Sequence, residues 1–161
     1  MQTSLITNGG FETGDFTGWT TNGLAIVVCS GGQHSGNCAA ALFAGEILSQ
    51  SVTTVINGSY AFDFWFNNPQ GDLTVKWNGG VIFTANPGSN PTYTHEVFSN
   101  LTATAASTPI EFDMNPPVGT PDALDDVNAV ANPAVPEPST IYGLFAGLAV
   151  LAVLRRRRRT A

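Results

Sequence analysis

Between Ser59 and Asn67 the chain keeps a period of two: Tyr60, Phe62, Phe64 and Phe66 fall on one side, Ala61, Asp63 and Trp65 on the other. Successive side chains of an extended strand point to opposite faces, so this spacing predicts a β-strand with two chemically different faces. Parity alone leaves open which face is inside. Phe64 and Phe66 lie opposite Trp65, so one set is core and the other exposed.

The same rhythm of strand and turn runs along most of the chain. Leu24–Cys29 and Cys38–Phe43 are apolar, Glu46–Val55 alternates, and Leu73–Trp77 is joined to Gly80–Ala85 by Asn78-Gly79. Asn-Gly supplies the positive φ of a type I′ turn, so this pair predicts a two-residue hairpin. Thr92–Leu101, Thr108–Met114 and Leu124–Ala129 complete the series, and Pro87, Pro91, Pro116, Pro117 and Pro121 fall between strand candidates. Short strands at this spacing, without a convincing amphipathic helix, predict an all-β antiparallel β-sandwich of jelly-roll type over residues 1–130. A short linker, 131–135, then leads into a segment of different character, 136–161.

That segment begins Pro136-Glu137-Pro138-Ser139-Thr140, continues as an apolar run of 14 residues from Ile141 to Leu154, and closes with Arg155, Arg156, Arg157, Arg158 and Arg159. As a helix the run spans roughly 21 Å, short of a bilayer core of about 30 Å. Thr140 and the arginine stems extend it by snorkelling. Positive residues beside a membrane segment stay cytoplasmic, so everything before Ile141 is expected outside the cytoplasm. A buried core helix is the competing reading, but five arginines directly after an all-apolar stretch suit no globular core. The whole tail resembles the PEP-CTERM sorting signal of Gram-negative bacteria. The resemblance rests on Pro136-Glu137-Pro138, the following Ser139, the Ile141–Leu154 helix and the arginine block. It implies recognition by an exosortase, a membrane-embedded transpeptidase-like enzyme with a Cys nucleophile, and processing near Pro136–Pro138. It further implies an inner-membrane intermediate with a cytoplasmic C-terminus, then delivery to the cell surface or an extracellular polymer matrix. Glu137 is then a substrate residue. Met1 to Asn8 shows no basic region, apolar stretch or cleavage site, so a truncated or misassigned start is expected for an exported chain.

Charge sorts the function classes. Five of the six basic residues are the tail arginines; before Pro136 there is only Lys76 against eleven carboxylates, a net charge of −10. Nucleic-acid binding through phosphates needs basic clusters and is excluded. A phosphate-binding Gly-rich loop with Lys-Ser/Thr is missing. His34 and His95 are the only histidines, neither sits in a Ser/His or Cys/His motif, and the carboxylates are scattered. A protein without catalysis or organic cofactor is expected. Cys29 and Cys38 bracket a Gly-rich loop, which in an exported chain predicts a disulfide. A loop this small stabilises by about 2–3 kcal/mol in the chain-entropy model. The competing arrangement is a metal site with His34 as third ligand, for which no fourth soft ligand lies nearby.

A second resemblance covers nearly the whole body. It starts with Asn8-Gly9-Gly10-Phe11-Glu12, continuing to Phe16 and Trp19. His34-Ser35-Gly36-Asn37, Leu48-Ser49-Gln50 and Leu124-Asp125-Asp126-Val127 then follow in order. Together they resemble the galactose-binding-like jelly rolls, which include several carbohydrate-binding modules. The resemblance implies that the first and last strands lie close together. Glu12 would then converge with Asp125 or Asp126, and with carbonyls of the Asn8–Gly10 and His34–Asn37 turns, around a structural Ca²⁺, a cation that takes hard oxygen ligands. The plainer reading is that Glu12 and Asp126 are solvated charges. Trp19 is expected to plug the core. Sugar rings stack on exposed aromatic side chains, which makes Trp65, Trp77 and Tyr93 candidate platforms, with Asn67, Asn68, Gln70 and Asn78 as polar partners. The alternative is that all these aromatics fill the sandwich. Asn57-Gly-Ser59 and Asn100-Leu-Thr102 match the N-glycosylation pattern, read as chance in a bacterial chain. Three functions follow: a non-catalytic exported surface or matrix protein associated with exopolysaccharide; a dedicated carbohydrate-binding module for one glycan; and an uncleaved, tail-anchored membrane protein.

Overall fold

The structure is a computed structural model that describes residues 2–23, 25–68, 71–114 and 121–133. The sorting segment with its apolar run and arginine block, linker residues 134–135, Leu24 and Gln70 lie outside the described residues. In chain order the strands are β1 (Thr20–Thr21), β2 (Ile26–Val28), β3 (Ala39–Leu42), β4 (Glu46–Thr53), β5 (Ser59–Asn68), β6 (Leu73–Trp77), β7 (Gly80–Ala85), β8 (Asn90–Thr102), β9 (Ser107–Met114) and β10 (Asp122–Ala131). They form two five-stranded sheets, ordered β1-β4-β9-β6-β7 and β2-β3-β10-β5-β8. Every pairing is antiparallel, so the described part is the expected two-sheet sandwich. Trp77 faces Gly80 across the Asn78-Gly79 turn, whose φ values are 53° and 78°. Both are positive, as a type I′ turn requires. One expectation fails: Pro91 lies inside β8 rather than between strands. β8 is the edge of its sheet, where a missing N–H is tolerated.

The parity of β5 is now resolved. Tyr60, Phe62, Phe64 and Phe66 point into the sandwich and are buried. Phe64 meets Phe112 of β9 edge-to-face, with centroids 5.1 Å apart, a geometry that aromatic quadrupoles favour. Each fully buried ring contributes roughly 1.5–3 kcal/mol by removal from water. Trp19 is 8% exposed, packs 5.6 Å from Phe11 and donates its indole N–H to the Asn8 carbonyl at 3.1 Å. It plugs the core as expected.

One irregularity positions the functional residues. On β10, Asp125 faces Trp65 and Asn128 faces Asp63, so Asp126 and Val127 share a single partner position on β5. Asp126 adopts a left-handed φ of 49°. This bulge interrupts pairing with β5, and the Val127 N–H donates instead to the Gly9 carbonyl at 3.0 Å, while the Leu5 N–H donates to Ala129 at 2.7 Å. The N-terminal segment thereby runs beside the last strand. A Cβ on Gly9 would collide with the Val127 carbonyl, so only glycine allows this approach.

Candidate functional site

The outer face of the β2-β3-β10-β5-β8 sheet gathers most of the candidate residues. Trp65 projects from β5, Tyr93 and His95 from β8, and Asp125, Asp126 and Asn128 from β10, with the Cys29–Cys38 loop lying over them. Cys29 and Cys38 form the expected disulfide. A Gly-rich loop has few side chains to pack, and distant carboxylates order it instead. Asp125 accepts the N–H groups of His34 and Ser35 at 2.9 and 3.1 Å, and that of Asp126 at 2.7 Å. The Ser35 hydroxyl donates to Asp126 at 2.8 Å, and His34 Nδ1 lies 2.7 Å from the same carboxylate. Glu12 accepts the N–H groups of Asn37 and Cys38 at 2.8 and 3.0 Å. The Tyr93 hydroxyl donates to the Gly32 carbonyl at 2.8 Å.

These contacts set the titration of the site. The Cys38 N–H, then that of Asn37, holds the Glu12 carboxyl below its usual range. Burial pushes Asp125 up, against the pull of its N–H donors. Burial also raises the Tyr93 phenol, and the nearby charges of Asp125 and Asp126 add to the effect. Tyr93 therefore remains a hydroxyl donor to the loop at neutral pH.

The rings form a ladder. His34 stacks on Trp65 with centroids 3.7 Å apart at 12°, and Trp65 stacks on His95 at 4.6 Å and 1°. His34 is held by Asp126 of β10 and His95 stands on β8, so the indole is stacked by imidazoles from two different elements. Tyr93 lies 5.4 Å from His34. His95 Nε2 is 3.2 Å from Asp63, whose other oxygen accepts from Asn128 Nδ2 at 2.9 Å. Val97, opposite Asp63 in register, is 63% exposed. The result is an exposed strip of imidazole, indole edge and isopropyl surface bordered by carboxylates and an amide.

The remaining candidates fall elsewhere. Trp77 sits on the other sheet, 5% exposed, with its indole N–H donated to Thr102 at 3.1 Å. It is a core residue, not a platform, and it shares parity with the apolar Leu73 and Val75 of β6. Asn68 is buried and ties Gly71 to Asn86, Asn67 accepts the Ala123 N–H, and Asn78 belongs to its hairpin turn. Glu12, Asp125 and Asp126 do converge: a Cβ on Gly10 would meet atoms of all three at 3.6–3.8 Å. Their oxygens, however, are engaged by N–H and O–H donors. Among the described residues, no group of three His, Cys, Asp or Glu is arranged to hold a metal. His34 and His95 were missed as ring partners of Trp65. The signal for His95 is the β5–β8 register, which pairs it with Trp65; His34 lies in the loop between β2 and β3, outside any register.

The sandwich is similar in fold to the jelly rolls of carbohydrate-binding modules. The carbohydrate-binding module TmCBM61, in complex with β-1,4-galactotriose, superposes with a TM-score of 0.69 over 81% of this chain and 99% of its own, at 22% identity. Carbohydrate-binding module CBM36, in complex with calcium and xylotriose, matches with a TM-score of 0.52 over 73% and 97%, at 18% identity. The enzymatically active domain of bacteriophage CBA120 tailspike protein 4 matches with a TM-score of 0.62 over 80% of this chain but 21% of its own, at 12% identity. At these identities the likeness is one of fold. No curated protein matches the chain. The tail is assigned by sequence: residues 134–159 match the PEP-CTERM protein-sorting motif. That motif implies an exported protein sorted by way of the membrane to the cell surface. Among the described residues no helix is long and apolar enough to cross a membrane.

Proposed function

We propose that the chain is a non-catalytic surface or extracellular-matrix protein of a Gram-negative cell, delivered by its tail, cut near Pro136–Pro138 by an exosortase, and held among exopolysaccharides by its body. The sorting motif at residues 134–159 carries this reading. In it, Arg155–Arg159 keep the C-terminus cytoplasmic during a membrane-inserted intermediate. The glycan contact is the strip of His95, Val97, Trp65 edge and Tyr93. Apolar ring and isopropyl surface suits the CH face of a sugar, and Asp63 and Asn128 suit its hydroxyls. The complexes of two fold neighbours with galactotriose and xylotriose support a saccharide as the ligand class. A dedicated module for one glycan is the sharper form of the same reading. The absence of catalysis in this reading is supported by the sequence, in which neither histidine sits in a Ser/His or Cys/His motif.

Alanine at Pro136, Glu137 and Pro138 tests the sorting step. Wild-type protein is expected in the surface fraction at reduced mass, and the variant in the membrane at full mass. Wild-type protein retained in the membrane at full mass would replace this reading with an uncleaved tail anchor.

A structural calcium ion is a second arrangement for Glu12, Asp125 and Asp126, supported by the calcium of the CBM36 neighbour. A carboxylate has lone pairs for a cation beside the N–H donors it accepts, so this arrangement keeps the hydrogen bonds. In it EDTA lowers the melting temperature and added calcium restores it; a melt unchanged by both would count against the ion.

A further inference from the structure

We infer that a second binding site, for an uncharged saccharide, lies in the groove where the chain leaves the sandwich. The groove has a volume of about 840 Å³, within the range of small-molecule sites. It joins the β4–β5 turn, the end of β8 and the residues after β10. Among the described residues lining it, none carries a charge at neutral pH. That neutrality removes the Coulombic means of holding an ionic ligand.

What lines the groove is amide and hydrocarbon. Asn57, Asn100 and Asn132 meet there from three separate segments. Asn132 Nδ2 donates to Ser59 Oγ at 2.8 Å and to Asn100 Oδ1 at 3.4 Å, which fixes the Asn132 amide. That leaves Asn132 Oδ1 and Asn100 Nδ2 available as an acceptor and a donor, and the Asn57 side-chain amide bonds to no other described residue, its backbone N–H going to the Ala103 carbonyl at 2.8 Å. Asn57 and Asn100 have left-handed backbones, φ 62° and 61°, a conformation that asparagine tolerates better than most residues. The exposed apolar part is Val55 and Pro133; Tyr60, 3% exposed, closes the bottom with its hydroxyl, which accepts the Val55 N–H at 2.7 Å. Val55 is 71% exposed and its neighbour Ile56 59%, and a pair of bare aliphatic side chains beside free amides is surface without a partner in the fold. Paired donors and acceptors beside apolar surface match a ring with hydroxyl edges and CH faces, and offer no opposite charge to a uronate, phosphate or ammonium group.

Along β5, Tyr60 and Trp65 are five residues apart, about 17 Å. Groove and ring ladder are therefore separate, and one molecule can hold two glycan chains or one chain at two points, which raises avidity without new contacts. The choice of saccharide rests on the glycan-binding reading above; the place and the neutrality rest on the groove itself.

The test is nuclear magnetic resonance of the ¹⁵N-labelled full-length protein in detergent, titrated with β-1,4-galactotriose and xylotriose, with trigalacturonate as the charged control. Saturable shifts of the Asn57, Asn100 and Asn132 side-chain amides are expected with a neutral trisaccharide and not with the uronate. They should persist in Trp65→Ala and weaken about tenfold in Asn132→Ala and Asn57→Gly. Glycine keeps the left-handed backbone at 57, so that variant folds. Shifts confined to His95 and Trp65 would overturn the groove and leave the proposed function standing. Groove shifts without shifts at the ladder would do the reverse, and no shifts in a well-dispersed spectrum would overturn both.

Discussion

Phe64 and Trp65 are consecutive residues held by different physics. Phe64 is sealed among Phe62, Phe66 and Phe112, where the loss of a ring leaves a cavity. Trp65 stands outside against two imidazoles, each tethered to a carboxylate, under a loop that carboxylates pin down. The inner face of β5 is specified by apolar volume and the outer face by hydrogen bonds. Stability is therefore concentrated on one face and recognition on the other, and mutations should separate the two.

The largest effect belongs inside. Phe64→Ala should destabilise by about 3–5 kcal/mol in urea denaturation; a loss below about 1 kcal/mol would erase the contrast between the faces. Removing the disulfide with Cys29→Ser and Cys38→Ser should cost about 2–3 kcal/mol and free the loop, seen as faster amide exchange at His34 and Ser35. Asp125→Ala strands the N–H groups of His34, Ser35 and Asp126 and should cost about 2 kcal/mol, with exchange again accelerated in the loop. Trp65→Ala removes ring pairs worth about 1 kcal/mol while weakening glycan binding. If it proved as costly as Phe64→Ala, Trp65 would be core.

The smallest effect is one of pH. The folded state holds the Glu12 carboxyl below its usual value, so the carboxylate's contribution is present at neutral pH and lost as pH falls through that lowered value. Asp125 runs the other way: with its value raised by burial, its contribution is favourable at low pH and lost as pH rises through the raised value. Glu12→Gln should flatten the fall of the melting temperature at acid pH, and Asp125→Asn should not. An unchanged profile in Glu12→Gln would place the acid sensitivity elsewhere.

Much of this was legible in the residues. The alternation in β5, the Asn78-Gly79 turn and the strand series follow from local spacing. The disulfide and the meeting of Glu12 with Asp125 and Asp126 followed from context and resemblance. Three things were not legible. β1 has two residues and carries no period. The choice of face for Trp65 and Trp77 depends on which sheet each strand joins, and both are aromatic residues at strand positions. The ladder needs a loop, a central strand and an edge strand in register, a relation between residues as far apart as His34 and His95. For the calcium expectation, spacing does not discriminate: carboxylates that suit a cation also suit the N–H groups of a glycine-rich loop.

The most direct test of the account is binding of the full-length, disulfide-bonded protein to a panel of polysaccharides that includes the producing cell's own exopolymer, compared with Trp65→Ala. Saturable binding that Trp65→Ala weakens about tenfold or more, with its fold intact, is the predicted result. A folded protein that binds none of them would contradict the account and leave the sorting motif as the part of the chain with a defined role.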